Sequence, residues 1–290
     1  MQLGSIARWL KGDSRFWEGE RFTVAVEGRG ERDVVFVHGL AASPECWEEA
    51  PARLCPDVRL HFVHMRGFSG LAPTGFRESG NFLKPTAEAL AAYIRANCRG
   101  PAAVVGHSMG GILSLMLARD HADVVERLMV VDVPAFFSVL INPFATPKTV
   151  ASLADASRRS YLDKSKAQLE DDLRRASEKL VVDRALIDRI VRWGTTSDRA
   201  TVADVMAEVM VTDLRGDLHL IKAPVEVVYA WDKSGHATKV ALEQVYASAY
   251  HGLVRGSRLR IDHARHYVMF DQPEAFYAAV GDWLARQVEA

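Results

Sequence analysis

The sequence predicts an α/β chain: a mainly parallel sheet with helices on both faces, broken once by a long helical insertion. Three observations predict it. Short apolar runs alternate with stretches of helical periodicity, the pattern of a sheet covered on both sides. Two of those runs, 33–39 and 102–108, are apolar almost throughout, as strands buried on both faces are. Residues 135–218 then contain no strong strand, after which strands return.

Taken in order, "FTVAVEG" (22–28) alternates apolar and polar residues and reads as a strand. "DVVFVHG" (33–39) is a buried strand ending in glycine. Ser43-Pro44 then begins a helix, a cap followed by a proline. "VRLHFVHM" (58–65) is a strand, and 84–100 a helix that stops at Gly100. "AAVVGHS" (102–108) is the next buried strand, "GGILSLMLARDH" the helix after it, and "ERLMVVDVP" (126–134) the strand that follows. Helical stretches lie near 146–160, 164–180, 182–193 and 198–213. Strands resume at 223–232 and 257–262, with helices near 237–250 and 273–287. Two domains in series would explain the gap less well, because two resumed strands make a poor domain. The organisation is therefore a core of 1–134 and 219–290 with an insertion at 135–218. An insertion after a strand's carboxyl end belongs at the edge where such sheets bind ligands.

The chain has 290 residues, 49% of them hydrophobic, enough for a sizeable core. The net charge is −1, from 36 basic and 37 acidic residues. That balance, with no basic stripe, excludes a nucleic-acid footprint. No apolar run is long enough to span a bilayer. Residues 1–20 lack the apolar centre and cleavage site of an export signal, which sets the expectation of a cytoplasmic protein. Cys46, Cys55 and Cys98 are odd in number and lack zinc-ligand spacing, so they read as small buried or half-buried residues.

"GHSMG" (106–110) fits G-x-S-x-G between a predicted strand and a predicted helix, the context that motif requires. A sharp turn there strains the serine backbone and lifts Oγ off the sheet edge. Side chains at Gly106 and Gly110 would collide with neighbouring chain. The Met109 amide falls at a helix N-terminus, where free N–H groups favour an oxyanion. Ser108 is thus a candidate nucleophile, and the alternative is a plain glycine-rich turn.

With "HGLAAS" (38–43) following the buried strand "DVVFVHG", the second in the chain, the chain resembles the α/β-hydrolase fold family, in its esterase-like branch with a helical cap, over about residues 20–287. The resemblance implies a second oxyanion-hole amide at Leu40, with His38 structural. "MRGFSG" (65–70) matches the family's D-x-R-G-x-G loop in part: Arg66 and Gly67 fit, His64 stands at the acidic position, and Gly70 is displaced by one. The family order Ser…Asp…His makes Asp232, after "VEVVYAW", the expected acid; Asp132, after "LMVV", is its rival, because some relatives carry the acid there. Relatives that open epoxides or cleave carbon–halogen bonds place aspartate at the elbow, so Ser108 points to carbonyl chemistry instead.

A serine hydroxyl needs a base, and the base a third group to orient it. "IDHARHYVMFDQPEAF" (261–276) offers two histidines. The family's spacing to the acid before the last helix selects His266, five residues before Asp271, over His263, which reads as a loop residue. Asp262 reads as a turn residue and Asp271 as the cap of the helix beginning at Pro273.

The expected activity is therefore a serine hydrolase cleaving a carboxylic ester through an acyl-enzyme, with no metal or organic cofactor. The partner is a small-molecule substrate with an apolar acyl or alcohol group; a homo-oligomer is compatible with the sequence. Phe136, Phe137 and Leu140, with Ile141 and Phe144, form an apolar cluster that either lines the substrate pocket or packs the cap on the core. The loop 71–85 is placed to rim the entrance. The rivals are a hydrolase of carbon–carbon bonds using the same triad, and a receptor on a hydrolase scaffold.

Overall fold

In a computed structural model of the protein, residues 14–54, 57–73, 81–234 and 238–287 are described. The readings of the N-terminal segment before residue 14, of Cys55 and of the middle of the 71–85 loop lie outside them.

Among the described residues eight strands form one sheet: β1 (Arg15–Glu18), β2 (Phe22–Glu27), β3 (Arg32–Val37), β4 (Val58–Met65), β5 (Ala102–His107), β6 (Val125–Val131), β7 (Val225–Trp231) and β8 (Gly256–Asp262). Their order is β1-β2-β4-β3-β5-β6-β7-β8. β2 pairs antiparallel with β1 and β4; every later pairing is parallel. The four-residue β1 was not foreseen: it is too short and too exposed to leave an apolar signature.

Alternate residues of β3 face opposite sides. Val35 and Val37 join a core with α2 (Leu83–Asn97), α3 (Met109–Asp120) and α8 (Lys239–Ala249), whereas Val34 and Phe36 join one with α1 (Ala50–Leu54), α9 (Val268–Asp271) and α10 (Pro273–Ala285). The helix expected at Ser43-Pro44 is a single 3-10 turn, Pro44–Trp47, with the Ser43 hydroxyl accepting the Glu45 amide. Two prolines and an early stop leave it no room to lengthen before α1.

Between β6 and β7 the chain is helical, with α4 (Pro147–Asp163), α5 (Lys166–Ser177), α6 (Ile187–Thr196) and α7 (Arg199–Val211). Thr146 and Ser165 open α4 and α5 with reciprocal capping boxes, and Asp198 caps α7. α4 packs on α7 and α5 on α6. The segment's two ends meet: the Leu214 amide donates to the Ala135 carbonyl at 3.0 Å, and Phe136 bridges Asp213. Buried Val181, Ile190, Val191 and Trp193 share a cluster with Phe36 and Tyr267 of the sheet side.

Register decides what converges at the carboxyl edge. Val37 pairs with Gly106, His107 with Val131, and Val131 with Val228. The chain therefore leaves β3, β5 and β6 side by side, at Gly39, Ser108 and Asp132. β7 runs on past that level to Trp231.

Candidate active site

Ser108 sits between β5 and α3 with φ 54° and ψ −124°, a region that costs a serine steric strain. The strain is held by close packing. A Cβ on Gly106 would lie 2.4 Å from the Gly110 carbonyl, and one on Gly110 would lie 2.3 Å from the Val37 carbonyl. Only glycine lets the elbow pass this close to β3. The turn after β3 approaches in the same way: a Cβ on Gly39 would stand 3.1 Å from the Ser108 Cβ. Among the described residues the Leu40 and Met109 amides have no acceptor.

His38, at the start of that turn, is fully buried. Its Nε2 accepts the Met65 amide at 3.1 Å and its Nδ1–H donates to the Gly39 carbonyl at 2.8 Å. Burial, with His64 beside it, lowers its pKa to about 3, so it is a neutral strut. His64 donates Nε2–H to the Phe68 carbonyl, and burial lowers it to about 4. Arg66 binds the Gly19 carbonyl and Glu18, tying this loop to the β1–β2 turn.

The carboxylate beside His266 is that of Asp132, not of Asp232. His266 Nδ1 lies 2.8 Å from Asp132 Oδ2. Asp132 Oδ1 accepts the Ala230 amide at 2.9 Å and the Tyr246 hydroxyl at 3.3 Å. Asp132 itself has φ 52°, held by its amide on the Val228 carbonyl and by Tyr250, whose hydroxyl donates to the Val133 carbonyl. Burial, and then Asp132 itself, push the Tyr246 phenol well up, so it stays a donor.

Asp232, the acid expected from the sequence, is engaged elsewhere. Its Oδ1 accepts the Ser234 amide and hydroxyl and faces the Arg265 guanidinium at 3.4 Å. The Ser234 hydroxyl first, and Arg265 further, hold it below the usual carboxylate range. The reason is register. Since Val131 pairs with Val228, Asp132 stands level with Tyr229. Asp232 lies three residues further on, about 10 Å at the rise of a strand. The chain leaving β8 turns back, through an Ala264 amide on the Trp231 carbonyl, towards β6.

His266 is half-buried; His263 is exposed, with φ 62°, and offers the site nothing but a carbonyl to Gln272. Asp262 ion-pairs with Lys239 and Arg260. Asp271 does not cap α10, whose N-cap is Gln272; it accepts the Arg265 and Val182 amides. The sequence reading also missed His107. Its Nε2–H donates to the His266 carbonyl at 2.9 Å, with the two rings 4.5 Å apart. Its place inside the GHS motif was the only signal it had.

The apolar cluster after β6 divides. Phe136 is fully buried among Val139, Ala145 and Val150, with the Arg215 guanidinium 4.8 Å over its ring, so it packs and does not line a pocket. Leu140, Ile141 and Phe144 are exposed, Phe144 at 88%. Phe137 alone is half-buried against the main core. At the opposite edge of the sheet, Asp33, His61 and Cys98 bring ligand-type atoms within 4.8 Å of one another. Asp33 already holds Arg59, His61 and the Arg99 amide, so a guanidinium supplies the positive charge a metal would. Burial pushes the Cys98 thiol up to about 12, which keeps it protonated.

The chain has relatives among known proteins. The chain is similar to a pimeloyl-[acyl-carrier protein] methyl ester esterase of Photorhabdus laumondii, 23% identical over 274 residues, which cover 89% of this chain and 94% of that protein. A thermophilic esterase from Thermogutta terrifontis superposes with a TM-score of 0.72 at 18% identity, covering 93% of this chain and 98% of that one. An enol-lactonase from Burkholderia xenovorans does so at 0.70 and 19%, covering 91% and 97%. The sequence profile of the alpha/beta hydrolase family matches residues 34–279, most of the sheet and the whole constellation of Ser108, Asp132 and His266, and the chain belongs to that family.

Proposed function

We propose that the protein is a serine hydrolase that cleaves a carboxylic ester through an acyl-enzyme, with Ser108 as nucleophile, His266 as base and Asp132 as the orienting acid. The observation that carries this is the 2.8 Å contact of His266 Nδ1 with Asp132 on the strand end next to Ser108. With Nδ1 committed to the carboxylate, Nε2 is the nitrogen left for the Ser108 hydroxyl. It takes that proton as Oγ attacks the acyl carbon. The Leu40 and Met109 amides receive the oxyanion. His266 then hands the proton to the departing alcohol, and activates a water that hydrolyses the acyl-serine. Asp132 stabilises the imidazolium throughout.

The helices of 135–218 act as a cap that bounds the substrate space. Phe137, half-buried against the main core, is the member of its apolar cluster assigned on this reading to an acyl or alcohol chain. The methyl ester named for the Photorhabdus relative supports the ester class, and the chain length is what experiment must read.

The test uses the full chain with p-nitrophenyl esters of increasing acyl length and a serine-directed fluorophosphonate. Turnover is expected, with one label at Ser108. Ser108→Ala should lose both, with kcat falling on the order of 10⁶-fold, as removal of such a nucleophile does elsewhere. Labelling at another residue, or turnover that survives Ser108→Ala, would overturn the reading.

A further inference from the structure

The loop that carries His266 is gripped from both sides by residues 178–182 of the helical segment. Tyr267, just after the histidine, donates its amide to the Leu180 carbonyl at 3.0 Å. Arg265, just before it, donates its guanidinium to the carbonyls of Glu178 and Val181. Asp271 closes the grip. One of its oxygens accepts the Arg265 amide at 2.8 Å and the other accepts the Val182 amide at 2.8 Å. Asp232 and Ser234 hold the same guanidinium from the β7 side. Val181 is buried in the cluster that contains Tyr267 and Val268, so the strap is packed as well as bonded.

A carboxylate drawn out of water costs free energy unless its oxygens are paired, and burial raises the pKa of Asp271. Each of its oxygens is paired with a backbone N–H, one on each side of the junction. Resting on the reading of His266 as the base, we infer that Asp271 is a positioning residue: its carboxylate binds the 178–182 strap to the histidine loop, so that His266 is held against Asp132 only while the strap is docked. A catalytic group must be kept within about 0.5 Å of its working position, and a misplacement of about 1 Å costs on the order of 10²-fold in rate. An asparagine cannot replace the carboxylate, because its NH2 would confront one of the two amides.

The experiment compares Asp271→Asn, Arg265→Ala and His266→Ala in the full chain, with p-nitrophenyl acetate turnover, fluorophosphonate labelling and amide hydrogen exchange. Asp271→Asn should lower kcat on the order of 10²-fold with KM within about threefold, and slow labelling in parallel. Exchange protection at 178–182 and 265–267 should be lost together. A folded Asp271→Asn with kcat within about threefold of the parent overturns the inference. If that variant does not fold, Arg265→Ala decides. It removes the two carbonyl contacts from a half-buried side chain, and unchanged kcat refutes the strap's role. His266→Ala separates the two readings. Turnover surviving in it refutes the base assignment, whereas its loss beside a normal Asp271→Asn refutes only the positioning role.

Discussion

Asp132→Asn should disable the protein, and the structure says how. The carboxylate is oriented by two donors on Oδ1, the Ala230 amide and the Tyr246 hydroxyl. An asparagine in the same place keeps its carbonyl on those donors, which turns its NH2 towards His266 Nδ1. The imidazole must then accept at Nδ1 and carry its proton on Nε2. That tautomer cannot take a proton from Ser108. The equivalent exchange in another serine hydrolase costs about 10⁴ in kcat, which is about 5 kcal/mol of transition-state stabilisation. Asp232→Asn removes only a peripheral charge from Arg265, and such pairs are worth about 1 kcal/mol at most, or roughly fivefold. The assay is kcat with p-nitrophenyl acetate for both variants, with melting temperatures to establish folding. If Asp232→Asn loses more than Asp132→Asn, or Asp132→Asn keeps more than about a tenth of parental kcat, the geometric assignment of the acid is wrong.

His266→Ala should abolish turnover while His263→Ala keeps most of it, since His263 is exposed and touches no site residue; steady-state rates of the two variants check this. His38, His64 and His107 are buried and neutral, with pKa values lowered to about 3, to about 4 and well below the usual value by burial. The unfolded chain protonates them near 6.5 and the folded chain does not, so stability is full above that pH and falls as pH drops towards 4. Each such proton steepens the fall by about 1.4 kcal/mol per pH unit; urea midpoints between pH 7 and 4.5 should show it, and a flat profile refutes it. Gly110→Ala drives a methyl to 2.3 Å from the Val37 carbonyl, so it should destabilise by about 1–3 kcal/mol and lower kcat by shifting the elbow. An unchanged urea midpoint would refute the close approach.

The alternation of strands and helices, and the elbow, were legible in the sequence because they are local. "AAVVGH" is apolar enough to mark a buried strand, and the glycines around Ser108 announce a turn no other residue could make. The carboxylate that meets His266 was not legible. Asp132 and Asp232 each end an apolar strand, and both satisfy the chain order. What separates them is how far β7 slides past β6, a pairing register that no single segment encodes. Asp271 was misread for a related reason: an acid before a proline looks like a cap, but its partners, Arg265 and Val182, come from six residues before it and from the inserted helices. The choice for Phe136 between pocket wall and cap packing stayed open in the sequence because hydrophobicity marks burial without saying whether the neighbour is protein or ligand.

The meeting of Leu214 with Ala135 makes the inserted helices a closed cassette, entering and leaving the core at one hydrogen-bonded seam. On the proposed reading of these helices as a cap, such a seam would let a lineage, or an engineer, swap the whole cassette and retune the substrate without redrawing the sheet. The freedom is bounded. A replacement that omits carbonyls for Arg265 and an amide for Asp271 would carry off contacts that hold the His266 loop, so on the inference above grafted helices must bring their own residues 178–182 or weaken the enzyme.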